Sequence, residues 1–140
     1  MKRVLLDVNI ILDVLLDRQP HVDGASAVWA AVERGELEGL LSAHAVTTIH
    51  YLNQKAIGLR TAREATDALL SVFDVAPVDR SVLQSALGSG CRDFEDGVMA
   101  AAARKARCDA IVTRNTRDFR RSPVRAFTPS EAMALLGATR

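Results

Sequence analysis

The sequence predicts an α/β fold: a three-layer α/β/α sandwich around a central, mostly parallel sheet. Two observations predict it. Short apolar runs such as Val4-Leu5-Leu6 and Ala110-Ile111-Val112 alternate with longer stretches of helical periodicity, and strands alternating with helices imply right-handed crossovers between parallel strands. These runs are also apolar at successive positions, as a strand requires when helices cover both faces of its sheet. A third observation sets the organisation. The 140 residues contain no internal repeat, low-complexity tract or long linker, so residues 1–140 are expected to form a single domain with one sizeable core.

The elements follow in order. Arg3 to Asp7 reads as a strand that ends in an acid, and Ile10 to Leu16 as a short helix closed near Pro20, which disfavours helical geometry in the residue before it. Val22 to Arg34 is a helix with Ala25, Val28, Trp29 and Val32 on one stripe, stopped at Gly35. Leu37 to Ser42 is a strand and Ala45 to Ala56 a helix that Gly58 breaks; Thr61 is placed to cap the next helix, Ala62 to Phe73. Val75 to Val78 reads as a strand with an edge proline. Arg80 to Leu87 is helical, and Gly88-Ser89-Gly90 interrupts the chain before an alanine-rich helix from Asp93 to Arg107. Ala110 to Thr113 and Arg125 to Phe127 are the last strands, and Thr128-Pro129 opens a final helix, since proline fits a first helical turn.

Composition narrows the class. Half the residues are hydrophobic and a quarter charged, as in soluble globular proteins, but aromatics make up only 4%, so aliphatic residues must build the core. Cys91 and Cys108 form neither a disulfide framework nor a zinc pattern and read as thiols of a reducing compartment. Asp7 and Asn9 interrupt the only N-terminal apolar stretch, which lacks the features of a signal peptide or a membrane span; a cytoplasmic location is expected. The net charge of +1 hides an asymmetry. Arg104, Lys105, Arg107, Arg114, Arg117, Arg120, Arg121 and Arg125 are opposed over that stretch only by Asp109 and Asp118, whereas the first forty residues lean acidic. A basic face on a nearly neutral domain points to a phosphate-bearing partner, the plain alternative being a solvated helix face.

Three carboxylates recur at comparable places: Asp7 at the end of the first strand, Asp96 in the first turn of the alanine-rich helix, and Asp118 after the fourth strand. In a parallel sheet these places lie along one edge, where ligands bind. An ionised Asp at a buried strand end needs a compensating cation or donors, and clustered oxygens are what Mg²⁺ or Mn²⁺ want. Each acid also has an ordinary alternative. Asp7 accepting bonds from a helix start, Asp93 and Asp96 as first-turn acids approximating a capping box, and Asp118 as a turn former would all be structural.

Taken together, Leu5-Leu6-Asp7-Val8-Asn9-Ile10-Ile11-Leu12-Asp13, Phe94-Glu95-Asp96-Gly97-Val98-Met99-Ala100-Ala101 and Ile111-Val112-Thr113-Arg114-Asn115-Thr116-Arg117-Asp118-Phe119 resemble, in that order and separation, the PIN domain family. That family includes the VapC-type ribonucleases of prokaryotic toxin–antitoxin pairs. The resemblance implies Mg²⁺- or Mn²⁺-dependent cleavage of single-stranded RNA, leaving a 5′-phosphate and a 3′-hydroxyl. Asp7 and Asp96 would be direct or water-mediated metal ligands, and Asp118 would complete the acidic cluster. Asn9, Thr113 and Asn115 would orient water or the Asp7 carboxylate, and Arg114, Arg117, Arg120 and Arg121 would meet RNA phosphates. It also implies a homodimer and a small antitoxin whose tail covers the acidic pocket.

One departure stands out. Where most catalytic members carry a Glu in the helix after the second strand, Thr48 occupies the position, and a hydroxyl is a weaker ligand than a carboxylate. A PIN subgroup with this loss carries an acid–Asp pair like Glu95-Asp96, so the resemblance implies that Glu95 compensates. His44 and His50 read as core or surface histidines, because hard cations favour oxygen. The alternatives are a catalytically impaired PIN-fold module that binds RNA or protein, and a small-molecule phosphatase with Asp7 as nucleophile. The helix Ile10 to Leu16 and the Trp29 face are expected to leave apolar surface for a partner.

Overall fold

The computed structural model describes residues 2–138, with side-chain surroundings through residue 135. Five strands, β1 (Lys2–Leu6), β2 (Leu37–Ser42), β3 (Asp74–Ala76), β4 (Ala110–Val112) and β5 (Ala126–Phe127), form a sheet in the order β3-β2-β1-β4-β5. Every pairing is parallel, as the unbroken apolar runs require. Around it lie α1 (Val8–Leu15), α2 (Val22–Glu33), α3 (Ala43–Ile57), α4 (Leu59–Val72), α5 (Arg80–Leu87), α6 (Phe94–Lys105) and α7 (Pro129–Ala138).

The sheet is filled from both sides because side chains alternate along a strand. Val4 and Leu6 of β1 and Ala110 and Val112 of β4 join the core formed with α1, α2, α3 and α7. Leu5 and Ile111 point the other way, into a second core with Val82 and Ala86 of α5 and the alanine-rich face of α6. Ile10, Ile11 and Leu12 of α1 are fully or almost fully buried, each contributing roughly 1.5–3 kcal/mol through removal from water. No described helix is long and apolar enough to cross a membrane.

Several boundaries differ from expectation for local reasons. The first helix begins at Val8 rather than Ile10, because Asp7 leaves the strand in an extended conformation and acts as its N-cap. Gly58, at φ +89°, separates α3 from a helix that already starts at Leu59, so Thr61 lies inside α4 and caps nothing. Strand β3 stops at Ala76, ahead of Pro77, which has no N–H to give a ladder. The apolar faces expected to await a partner are largely consumed by the core: α1 is buried, and the Trp29 ring packs edge-on against Phe73 at 5.1 Å. Exposed large apolar residues fall instead on α3 and α4, at Tyr51, Leu52, Ile57, Leu59 and Leu70, on α5 at Leu83 and Leu87, and at Val75 and Phe94.

Helix ends are strongly specified. Asp93 accepts the Asp96 amide at 3.0 Å, and Thr128 and Glu131 cap α7 reciprocally, at 2.8 and 3.2 Å. Three helices close with the same pair of reversed amide bonds, over Asp17 after α1, Gly35 after α2 and Arg107 after α6, each with positive φ. Only the second uses the glycine such a turn favours.

Candidate active site

The chain runs β1, β2, β3 to one side and β4, β5 to the other, so the direction of winding reverses between β1 and β4. Crevices in open parallel sheets form outside the strand ends at that reversal. Asp7 sits at the end of β1 and Thr113 just past the end of β4, on either side of it. The Asp7 amide continues the ladder to the Val112 carbonyl at 2.9 Å, and the Thr113 hydroxyl donates to the Asp7 carboxylate at 2.8 Å. Asp7 is 7% exposed and Thr113 fully buried. Asp7 makes no side-chain cap bond to the second or third turn position of its own helix, though the Val8 amide favours its charged form. Its orientation comes from the neighbouring strand.

The β1–β2 register, continued by two residues, sets Ser42 across from Asp7 on the other flank. Ser42 is wholly buried and its Oγ has no hydrogen-bond partner among the described residues. A buried hydroxyl of this kind carries a free polar valence that packing alone does not explain.

The remaining acids converge from α6 and the loop after β4. Asp93 is occupied as the N-cap of α6, which leaves the half-buried Asp96 carboxylate free to face the cleft. Burial pushes the Asp7 carboxyl above the usual range, with the Thr113 hydroxyl and the Val8 amide opposing the rise and the Asp118 charge adding to it. Asp96 is pushed up to about 7, first by partial burial and then by the charges of Asp93, Asp7, Asp118 and Glu95. Asp118 thus bears on both Asp7 and Asp96, and Asp7 on Asp96, raising the affected carboxyl in each case. Among the described residues no three His, Cys, Asp or Glu side chains close into a ready-made metal cage. The donors at this edge are nonetheless all hard oxygens.

Glu95 is exposed, yet it reaches α3, where its Oε1 accepts the Thr48 hydroxyl at 3.1 Å. Thr48, the position where the resemblance leads one to expect a Glu, is thus bridged by a carboxylate from α6. His44, one turn earlier on α3, has both ring nitrogens buried without a well-formed hydrogen bond among the described residues, and burial holds its pKa low against the charge and backbone of Glu95. His50 is engaged with Thr66 at 2.7 Å. Neither histidine meets the three aspartates in a metal-binding group among the described residues.

Asp93, Asp96 and Asp118, but not Asp7, line a cavity of about 700 Å³ together with Arg92, Arg117, Arg120 and Arg121. No salt bridge engages these four arginines among the described residues. Arg114 differs from them. Its guanidinium forms a two-pronged pair with Asp13 of α1, at 2.7 and 3.1 Å, and Asp13 is completely buried. Arg18 approaches the same carboxylate at 3.7 Å and donates to Asn9 Oδ1 at 3.3 Å. Asn115 gives its amide to the Thr113 hydroxyl at 3.1 Å, so Thr113 is itself held.

Sequence reasoning did not single out Arg92, Ser42 or the Asp13–Arg114 pair. The signal for Asp13 was present: an acid inside the apolar run Ile10-Ile11-Leu12 raises the same burial question as Asp7. Arg92 lay ahead of the stretch in which arginines cluster by count, and nothing in the sequence marked Ser42 as buried.

The chain belongs to the PIN domain family, whose sequence model matches residues 3–117. No curated protein matches the chain in sequence. Among solved structures it is similar to a toxin–antitoxin complex from Klebsiella pneumoniae, with a TM-score of 0.68 at 22% identity over 90% of this chain and 97% of that one. It is also similar to VapC20 of Mycobacterium tuberculosis, a sarcin–ricin-loop-cleaving toxin, at TM-score 0.64 and 19% identity over 77% of this chain and 86% of that one. A third similar structure is the DNA-bound VapBC of Salmonella typhimurium, at TM-score 0.69 and 17% identity over 92% and 99% of the two chains. At these identities the likeness establishes the shared fold.

Proposed function

We propose that this protein is a Mg²⁺- or Mn²⁺-dependent endoribonuclease that cleaves single-stranded RNA in the cytoplasm as the toxin of a toxin–antitoxin pair. The observation that supports this reading is that Asp7, at the sheet's winding reversal, and Asp118 both raise the Asp96 carboxyl, beside a cavity whose four arginines make no salt bridge among the described residues. Acids alone would repel a polyanion, and arginines alone would bind one without cutting it. Together they suit a phosphodiester held beside a cation.

Asp7 and Asp96 would hold the ion, with Asp118 at the exposed edge of the same cluster. Oxygen donors of this type, few in number, match a hard cation that keeps several waters of its own. When bound, such a cation supplies an activated water and neutralises charge building on the phosphoryl oxygens. The chain's own residues do the rest. Thr113 fixes the Asp7 carboxylate, Glu95 is steadied by Thr48 at the cluster's flank, and Arg117, Arg120, Arg121 and Arg92 bind the RNA backbone. Arg114 contributes by securing the loop that carries Thr113 and Asn115. A small antitoxin would cover this pocket, and the exposed apolar residues of α3 and α4 would serve a homodimer.

A second reading, a PIN module that binds RNA without cutting it, is favoured by Thr48 at the place of the missing Glu. Incubating the protein with labelled single-stranded RNA, with Mn²⁺ or with EDTA, separates the two. The proposal expects cleavage that requires the ion and disappears in Asp96→Asn; RNA binding without cleavage at any Mn²⁺ concentration would establish the second reading instead.

A further inference from the structure

The acidic pocket does not end at its arginine rim. Gly90 and Arg121 line it, and both also line a second groove of about 570 Å³ that runs between α5 and α6 and under the segment after the 3-10 turn Thr116–Phe119. The continuity has a steric cause: a side chain at Gly90 would stand 2.7 Å from the stem of Arg121, so glycine lets that arginine lie across the junction. The walls of the second groove suit a polyanion. Arg104, Lys105 and Arg121 supply charge, Ser81, Ser85 and Ser89 supply hydroxyls, and small residues of α6, Ala100 and Ala101, form the floor. Lys105 is held by Asp79 at 2.6 Å and Ser81 at 2.9 Å. Arg104 has no salt-bridge partner among the described residues and is exposed. It lies eight positions beyond Asp96 on the same helix, which sets it about 12 Å along α6 from that carboxylate.

We propose that this groove is an extended backbone-binding subsite for the RNA strand on one side of the scissile phosphodiester, with Arg121 at the junction and Arg104 as its outer phosphate contact. This rests on the ribonuclease reading for its substrate, but it concerns grip rather than cutting. It implies that affinity grows with RNA length beyond what the acidic pocket spans.

Binding and cleavage test it separately. In EDTA, where no metal-dependent cutting occurs, fluorescence anisotropy with a labelled single-stranded RNA across a salt series compares the protein with Arg104→Ala and Arg104→Glu. Losing one phosphate contact on a single strand should lower the slope of log affinity against log salt by about 0.7, or roughly fivefold in affinity at 0.1 M salt; Arg104→Glu should lose more. With Mn²⁺, Arg104→Ala should raise KM for the long strand with kcat unchanged, and leave a dinucleoside monophosphate cleaved as before. Unchanged salt slopes in both variants would overturn the subsite. So would variants that bind RNA normally but lose affinity for an acidic peptide, which would assign the groove to a protein partner. A protein that binds long RNA through Arg104 yet never cleaves would defeat the ribonuclease reading and leave the subsite standing.

Discussion

Arg114→Ala should be among the most damaging single substitutions in this protein, although Arg114 lies in an arginine-rich loop and looks like one more phosphate contact. Its guanidinium is the principal partner of Asp13, which has no exposed side-chain surface. Truncating one member of a buried pair leaves an uncompensated charge, a loss of about 3–5 kcal/mol. Arg18 remains 3.7 Å from the same carboxylate and Arg114 itself is a quarter exposed, which places the loss near 3 kcal/mol, or about 10 °C in Tm for a chain of this length. Urea denaturation followed by circular dichroism measures it, with Arg117→Ala as the exposed comparison, expected within about 0.5 kcal/mol of the parent. Asp13→Asn in the Arg114→Ala background should recover part of the loss, because the stranded charge is then gone. If Arg114→Ala unfolds at the parent's urea midpoint, or the second substitution recovers nothing, the account of Asp13 as a buried ion held by Arg114 is wrong.

Asp96→Asn should stabilise the metal-free protein while abolishing cleavage. A carboxyl raised to about 7 favours the fold below its ordinary value near 3.8 and loses that advantage as pH rises through 7. In EDTA the variant should therefore gain on the parent between pH 5 and 8, by about 1–2 kcal/mol once solvent screening of a half-buried group is allowed for; a gap that stays constant across this range would contradict the repulsion. Arg107 closes α6 at φ +60°, so Arg107→Gly should raise stability by about 0.5–1 kcal/mol, read as a higher Tm. Thr48→Val removes the hydroxyl that steadies Glu95 and should raise the Mn²⁺ concentration for half-maximal cleavage about tenfold, with little change in urea midpoint.

The sheet was legible because its strands are apolar on both faces, a pattern that survives without knowledge of tertiary contacts. Lys2–Leu6, Leu37–Ser42 and Ala110–Val112 fall where the runs predict. The acids were legible as candidates, since a carboxylate closing an apolar strand is hard to explain otherwise. Their surroundings were not. Whether an arginine meets solvent or a buried acid depends on what folds above it, and Arg114 and Arg117, three positions apart, have opposite surroundings. The partner faces were misjudged for a related reason: apolar surface on α1 and α2 counts as excess only if nothing covers it, and the sheet, Phe73 and α7 do. Asp13 announced its burial by its place in an apolar run but not which arginine would meet it, and nothing in the sequence marked the Ser42 hydroxyl.

The acidic cluster is assembled from both ends of the chain, since Asp7 gains its orientation from Thr113 and its charged neighbours from α6 and the segment beyond β4. A nascent chain emerging from the ribosome therefore holds the first of these groups long before the others exist. On the proposed reading, the polypeptide would have no complete site for cutting RNA until β4 and the turn that carries Asp118 follow β1 into place. Premature stop codons anywhere before β4 should accordingly yield fragments that leave RNA intact.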